Sequence, residues 1–440
     1  MPLVESKIIL ESAGFSALEA GDDKGGEIME AFTKKVTAFA VAAALGGFAS
    51  NGISGGLGIG TQSGSGTGNA FAGGAASAED ASTIWYNPAG MAVLPGTTNY
   101  AVAAHLLKPS FKFQNSGSTL PAGTGDGGDG GGWHLIPQGY ISHKLTNEWS
   151  IGAAFNTPFG LKTEYDTGWR GQSIALTSQL KTYNLNLAAA YKVNDTLSVG
   201  AGFNYQRIEL KFNSQIAIGF VQPELSDNST GWNVGVLFQP TPQTRVGAHY
   251  RSAINYNTAG TLTAPAALGG SGLASAGLTT PDSFSFSVFH ALSPIWEIMG
   301  DITWTGWSHV KQLNVVRTSG ALAGTVPVAI TFNWDDTMRY SVGAKYKYDD
   351  AWKLRFGVAF DQTPTNDIDR TARLPDQDRT WVAFGAQWRM SKNGTLDFGY
   401  AHEFIKDASV NNRAPITGQR LIGSFNNQAD ILSVQYSHSY

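Results

Sequence analysis

The chain has 440 residues, no cysteine, only 15% charged residues and a formal net charge of −4 at pH 7. Without cysteine it has no disulfide framework, thiolate metal site or sulfur nucleophile, and its slightly acidic balance is not that of a nucleic-acid binder. Its 53 Gly, 12 Trp, 15 Tyr and 23 Phe suit β-structure at a lipid interface, and its longest apolar run falls short of the roughly 20 residues a spanning helix needs.

Residues 1–28 carry little pattern, and Met29 reads as the natural start. Lys34 and Lys35 then precede the apolar run Val36 to Ala49, which closes on Gly47-Phe48-Ala49. Charged, apolar and small-residue regions in that order predict a secretory signal peptide cut after Ala49; the rival reading is a buried helix of a soluble protein. The next stretch is built of small residues, Ser65-Gly66-Thr67-Gly68-Asn69-Ala70 and Gly73-Gly74-Ala75-Ala76, ending in Trp85-Tyr86-Asn87-Pro88-Ala89. Small residues let a segment pack tightly inside something else. The glycines from Gly52 to Gly60 follow no strand and open no helix, so they do not form a phosphate cradle.

From about Thr97 the sequence alternates apolar with small or polar residues for roughly ten positions at a time, which predicts strands. Leu354, Phe356, Val358 and Phe360 interleave with Arg355, Gly357, Ala359 and Asp361, and Leu396, Phe398 and Tyr400 with Asp397, Gly399 and Ala401. Short polar turns at residues 145–147, 193–195, 348–350 and 391–393 take turns with long segments near 107–134, 157–180, 208–228, 256–280, 307–334, 362–379 and 405–428. That is the outer-membrane arrangement, and it gives about fourteen strands. A soluble β-sandwich is the alternative, but this many strands would need a more apolar inner set. A Lys or Arg facing lipid at mid-membrane costs about 2–4 kcal/mol, so Lys345, Lys347 and Arg355 are predicted to face inward, with Lys345 and Arg355 near mid-barrel. Their neighbours Val342, Tyr346, Phe356 and Val358 then face out. The last strand puts Leu432, Val434, Tyr436, His438 and Tyr440 on one face and Ser433, Gln435, Ser437 and Ser439 on the other.

No catalytic arrangement stands out, and no cofactor or metal is implied. The eight His show no ligand spacing; His290, His402 and His438 fall on separate strands. Asp126 and Asp129 sit in a glycine-rich loop that reads as nearly structureless and solvated rather than as a calcium site. Glu297 and Asp301 share a face and read as lumen groups paired to Lys or Arg.

Three motifs together resemble the FadL family. They are the glycine-rich stretch ending in Asn87-Pro88-Ala89, the segment Thr157-Pro158-Phe159-Gly160-Leu161 with Thr163-Glu164-Tyr165, and Asp361-Gln362-Thr363-Pro364 followed by Arg373-Leu374-Pro375-Asp376-Gln377-Asp378-Arg379. The likeness runs from about Gly55 to Tyr440. It implies an all-β protein of the bacterial outer membrane, a 14-stranded antiparallel transmembrane β-barrel with an N-terminal hatch in its lumen. Residues 1–49 would be the extension and signal peptide, 50–96 the hatch and 97–440 the barrel. The implied function is uptake of long-chain fatty acids or similar hydrophobic compounds. Ligand would be captured in a groove between the third and fourth external loops, where Ile216, Ile218, Phe220, Val221, Leu262, Leu268, Leu273 and Leu278 lie. Release would be lateral, near Pro158, Phe159 and Gly160, with Asn87, Pro88 and Ala89 as the gate. A carboxylate entering a low-dielectric lumen needs a cation, for which Lys345, Lys347 and Arg355 are the candidates. The implied partners are a hydrophobic small molecule, outer-membrane lipid and lipopolysaccharide, and the chain would act as a monomer. A toluene-type hydrocarbon channel is the alternative within the family; a general porin or a surface adhesin lies outside it.

Overall fold

The structure is a computed structural model that describes residues 55–119, 123–414 and 416–440. The predicted signal peptide and start site lie outside the described residues. Fourteen antiparallel strands close into a barrel: β1 (Thr98–Asn115), β2 (His134–Lys144), β3 (Trp149–Asn156), β4 (Thr177–Lys192), β5 (Leu197–Ile216), β6 (Gly219–Thr241), β7 (Thr244–Arg251), β8 (Ser283–Ala291), β9 (Trp296–Thr305), β10 (Thr337–Lys347), β11 (Trp352–Asp361), β12 (Arg379–Arg389), β13 (Gly394–Ile405) and β14 (Arg420–Ser439). Each pairs with its sequence neighbour, and β14 closes on β1 from Asn99↔Ser439 to Asn115↔Gly423.

Side-chain alternation explains why these segments stay strands. Val342, Phe356, Val358, Phe384, Phe398, Leu432 and Val434 are exposed on the lipid face, while Ser433, Gln435 and Ser437 are buried inside. Aromatic pairs ring the ends next to the short turns, including Trp149–Tyr191 at 4.8 Å, Trp296–Tyr346 at 4.7 Å and Trp352–Trp388 at 6.0 Å. Such girdles mark the boundary between hydrocarbon and water.

The outer ends differ from expectation. Residues 208–228 are not an irregular loop but the outer halves of β5 and β6, laddered up to Ile216↔Gly219. Residues 256–280 form a second hairpin, Ile254–Thr263 with Gly272–Thr280, that pairs onto β6 at Gln222 to Ser226. The reason is a change of sign in the alternation. In β5, Val199, Phe203 and Tyr205 point out and Gly200, Gly202, Asn204 and Gln206 point in; further up, Ile208, Leu210 and Phe212 are buried while Arg207, Glu209 and Lys211 take the outer face. Above the lipid the outer face meets water, and the inner face meets other loops. The glycine-rich first loop is also ordered where described. Asp129 accepts from Ser110 Oγ at 2.7 Å, Phe111 N at 2.8 Å and Gly131 N at 3.0 Å, pinning the loop to β1. Asp126 pairs with Arg170 at 2.9 Å.

Residues 55–96 fill the lumen as three single-turn helices, α1 (Gly64–Thr67), α2 (Gly74–Ser77) and α3 (Thr83–Tyr86), and a 3-10 turn, Pro88–Val93. Lumen-facing strand glycines receive them. A Cβ at Gly235, Gly247, Gly357 or Gly399 would come under 3.0 Å from Asn87, Ala75, Asn69 or Thr67 respectively. The plug is therefore seated against bare backbone.

Candidate functional site

The barrel wall is interrupted beside β3. That strand ends at Asn156, and the chain re-forms a ladder with β4 only at Gly160–Glu164. Pairing of β2 with β3 spans Gly139↔Phe155 to Lys144↔Ser150, so among the described residues His134 to Gln138 of β2 are laddered to β1 alone. Pro158 suits the break because it has no N–H to leave orphaned. The displaced segment bonds instead to the start of the hatch, with Ile59 N donating to Pro158 O at 2.8 Å and Gly160 N to Leu57 O at 2.9 Å. Gln62 Nε2 donates to Thr157 O at 3.1 Å. Exposed Leu106 and Leu135 flank the gap on the outer face. The predicted Pro158, Phe159 and Gly160 thus lie where the wall parts, joined to the hatch.

Asn87 is fully buried and holds several groups at once. Its Oδ1 accepts from Ala89 N at 3.1 Å, capping the 3-10 turn that Pro88 begins. Its Nδ2 donates to Ala75 O at 2.7 Å and to Val236 O of β6 at 2.9 Å, so one side chain ties α2, the turn and the wall together. The hatch also carries strain: Ala70, Phe71 and Ala78 have φ of 47°, 57° and 40° without being glycine.

The candidate lumen cations are committed to partners. Lys345 Nζ donates to Glu79 of the hatch at 2.6 Å; Arg355 reaches Glu79 at 2.9 and 2.8 Å and Asp397 at 2.7 Å. Both side chains are buried, with Lys345 three residues and Arg355 four residues from the short turn at 348–351, nearer that end of their strands than the mid-barrel position expected. Lys347 sits at the rim and pairs with exposed Asp350 at 2.6 Å. Sequence reasoning missed Glu79. A signal was there, because Glu79 and Asp80 are the only charged residues between Gly55 and Gly96.

Above the hatch, a cavity of about 180 Å³ lies between hatch residues Ile59, Phe71 and Trp85, the wall break at Pro158 and Phe159, and His249, Arg251, Trp307 and Arg339 of the far wall and its loops. Outward of it sits a large apolar cluster. Of the predicted capture residues, Ile216, Val221, Leu262 and Leu278 are buried in that cluster and Leu268 packs on it, whereas Ile218, Phe220 and Leu273 are exposed at the hairpin tips. They therefore divide between an interior and a surface set.

Residues 46–440 match the family model described as outer membrane protein transport protein (OMPP1/FadL/TodX). The long-chain fatty acid transport protein of Escherichia coli K12 is 28% identical over 433 residues, covering 86% of this chain and 94% of that protein. Among solved structures, a Pseudomonas aeruginosa FadL homologue aligns at a TM-score of 0.82 and 23% identity, covering 88% of this chain and 100% of that one. The Pseudomonas putida toluene transporter TodX aligns at 0.64 and 17% identity, covering 89% and 99%. Both structures share the fold.

Proposed function

The chain belongs to the outer membrane protein transport family (OMPP1/FadL/TodX), as a β-barrel of the outer membrane, and we propose that it takes up long-chain fatty acids and similar hydrophobic compounds through a hatch-gated lateral gap. The mature chain begins after Ala49, with residues 50–96 as the hatch and 97–440 as a barrel that acts as a monomer in contact with lipid and lipopolysaccharide. An acyl chain gains about 0.8 kcal/mol for each buried CH₂, so about fifteen of them would forfeit roughly 12 kcal/mol in a bare water pore. The route must offer apolar contact throughout. Exposed Ile218, Phe220 and Leu273 make first contact, and the cluster behind them, with Ile216, Val221, Leu262 and Leu268, conducts the chain inward. The gate consists of Asn87, Pro88 and Ala89, which hold the hatch, and Pro158, Phe159 and Gly160, which edge the gap. Lys345, Lys347 and Arg355 are structural cations rather than head-group ligands.

The observation that carries this reading is the break in the wall at β3, hydrogen-bonded to the hatch and facing lipid. The test is growth of a deletion strain, complemented with the parent gene, on a long-chain fatty acid against growth on toluene. Complementation on the fatty acid is expected; failure there with restored growth on toluene would put the hydrocarbon channel in its place. The cavity volume favours that second reading, being close to the ~150 Å³ that holds benzene in an apolar core. Its charged lining weighs against it.

A further inference from the structure

The cavity above the hatch contains a buried cation, Arg251, that pairs with no carboxylate among the described residues. Arg251 ends β7. Its Nη1 donates to Asn204 Oδ1 at 2.8 Å, its Nη2 donates to the Trp85 carbonyl at 3.0 Å, and the guanidinium lies 3.6 Å from the Trp85 ring centroid. Its ladder partners, Asn233 on β6 and Ser283 on β8, are neutral. Asn204 Oδ1 also accepts from Asn184 and Asn186, so the groups around this end of the arginine are amides.

The other charges around the cavity are Arg339, which lies over the Phe71 and Trp381 rings on the wall opposite a carboxylate, and two carboxylates that accept hydrogen bonds. Arg339 stands directly across the ladder from Asp361 and donates to Ala70 O at 2.7 Å. Asp361 accepts from Gly55 N at 3.1 Å, and Asp301 accepts from the hydroxyls of Ser287 and Thr303. A guanidinium has five N–H donors, and Arg251 directs two of them at the protein. A buried charge left in this state is costly unless a polar partner meets it, and a carboxylate meets a guanidinium with two parallel bonds. The same cavity offers Ile59, Phe159 and Trp307 as apolar wall.

We propose that Arg251 is the head-group residue of the channel. It binds the carboxylate of an anionic amphiphile in this cavity, with the first carbons of the chain against Phe159 and Trp307, and so selects fatty acids over neutral hydrocarbons. This rests on the uptake reading above and assigns its polar specificity. It also gives the hatch a reason to sense occupancy, since the arginine that grips the ligand holds the carbonyl of Trp85.

The test uses purified full-length protein in detergent with two probes of equal chain length, oleate and oleyl alcohol. Arg251→Gln is expected to weaken oleate binding by roughly tenfold to a hundredfold, the range for losing hydrogen bonds to a charged group, and to leave oleyl alcohol unchanged. Arg251→Lys keeps the charge without the fork and should recover part of the oleate affinity. Heat-modifiable gel mobility reports barrel folding in each variant. Unchanged oleate binding in Arg251→Gln would overturn the assignment, as would equal loss for both probes, which marks a structural role. A parent that binds the alcohol as tightly as the acid overturns the selectivity alone, whereas a parent that binds neither removes the uptake reading with it.

Discussion

Glu79→Gln isolates the electrostatic docking of the hatch. The carboxylate accepts from Lys345 at 2.6 Å and from Arg355 at 2.9 and 2.8 Å. After substitution Arg355 keeps Asp397 at 2.7 Å, but Lys345 is left with Glu297 at 3.8 Å. Breaking a fully buried pair costs about 3–5 kcal/mol, and a hydrogen bond to a charged group is worth about 1.5–3 kcal/mol. Because Arg355 retains one partner, the lower figures apply, and docking should weaken by about 2–3 kcal/mol. At 1.4 kcal/mol per factor of ten, the undocked population rises by roughly 30- to 150-fold. Hydrogen exchange at Gly64 and Ala75 reads that population, because their N–H groups donate to Gln435 Oε1 and Ser287 Oγ of the wall and lose those partners when the hatch leaves its seat. The double variant Glu79→Gln with Lys345→Met should be less than additive, as expected for groups in one network. Unchanged exchange protection in a folded Glu79→Gln barrel would refute the argument that this ion cluster fixes the hatch.

Gly357→Val should insert and fold as a barrel but fail to seat the hatch, because its Cβ falls on the Asn69 backbone; protease sensitivity of residues 55–96 checks it. Asn87→Ala loses the cap on Ala89 and the tie to Val236, and should cost the hatch about 1–2 kcal/mol, read by the same exchange measurement. Burial of Asp129 would raise its pKa, but the Ser110 hydroxyl and the Phe111 and Gly131 N–H groups outweigh it and hold the carboxyl below its ordinary value. Its contribution to ordering the first loop is therefore full above the unfolded pKa and lost as pH falls through the lower folded one. Loop proteolysis should accelerate only below about pH 4, and Asp129→Asn should be equally sensitive at neutral pH.

The lipid-facing half of this fold was legible because hydrocarbon imposes a single rule, and residues such as Val342, Phe356 and Leu432 obey it strand after strand. The outer hairpins were not, because Arg207, Glu209 and Lys211 reverse the rule while keeping its period, and charges at alternate positions read as a solvated loop. For the site, the wall break at Pro158 and the hatch signature at Asn87 stood out as residues whose backbone chemistry is restrictive. The lumen cations were found by exclusion from lipid, but exclusion says only that a charge points inward and not what meets it. Glu79, Arg251 and their partners are up to 308 residues apart in sequence, and only closure of the barrel brings Arg355 and Gln387 onto Glu79.

The reversal within β5 has a further meaning as a waterline. Successive residues of a strand rise by about 3.4 Å, so sinking the barrel by one residue pair would drag Arg207 and its neighbours into hydrocarbon, while floating it higher would lift the Trp–Tyr girdle off its interface. The molecule's draught in the bilayer is thus fixed by its own side chains, and a thicker or thinner membrane must deform around it. The gap between β2 and the Gly160–Glu164 strand, flanked by Leu106 and Leu135, is carried at a set depth below that line. Whatever leaves there is delivered to one stratum of the outer membrane, whichever bilayer the barrel occupies.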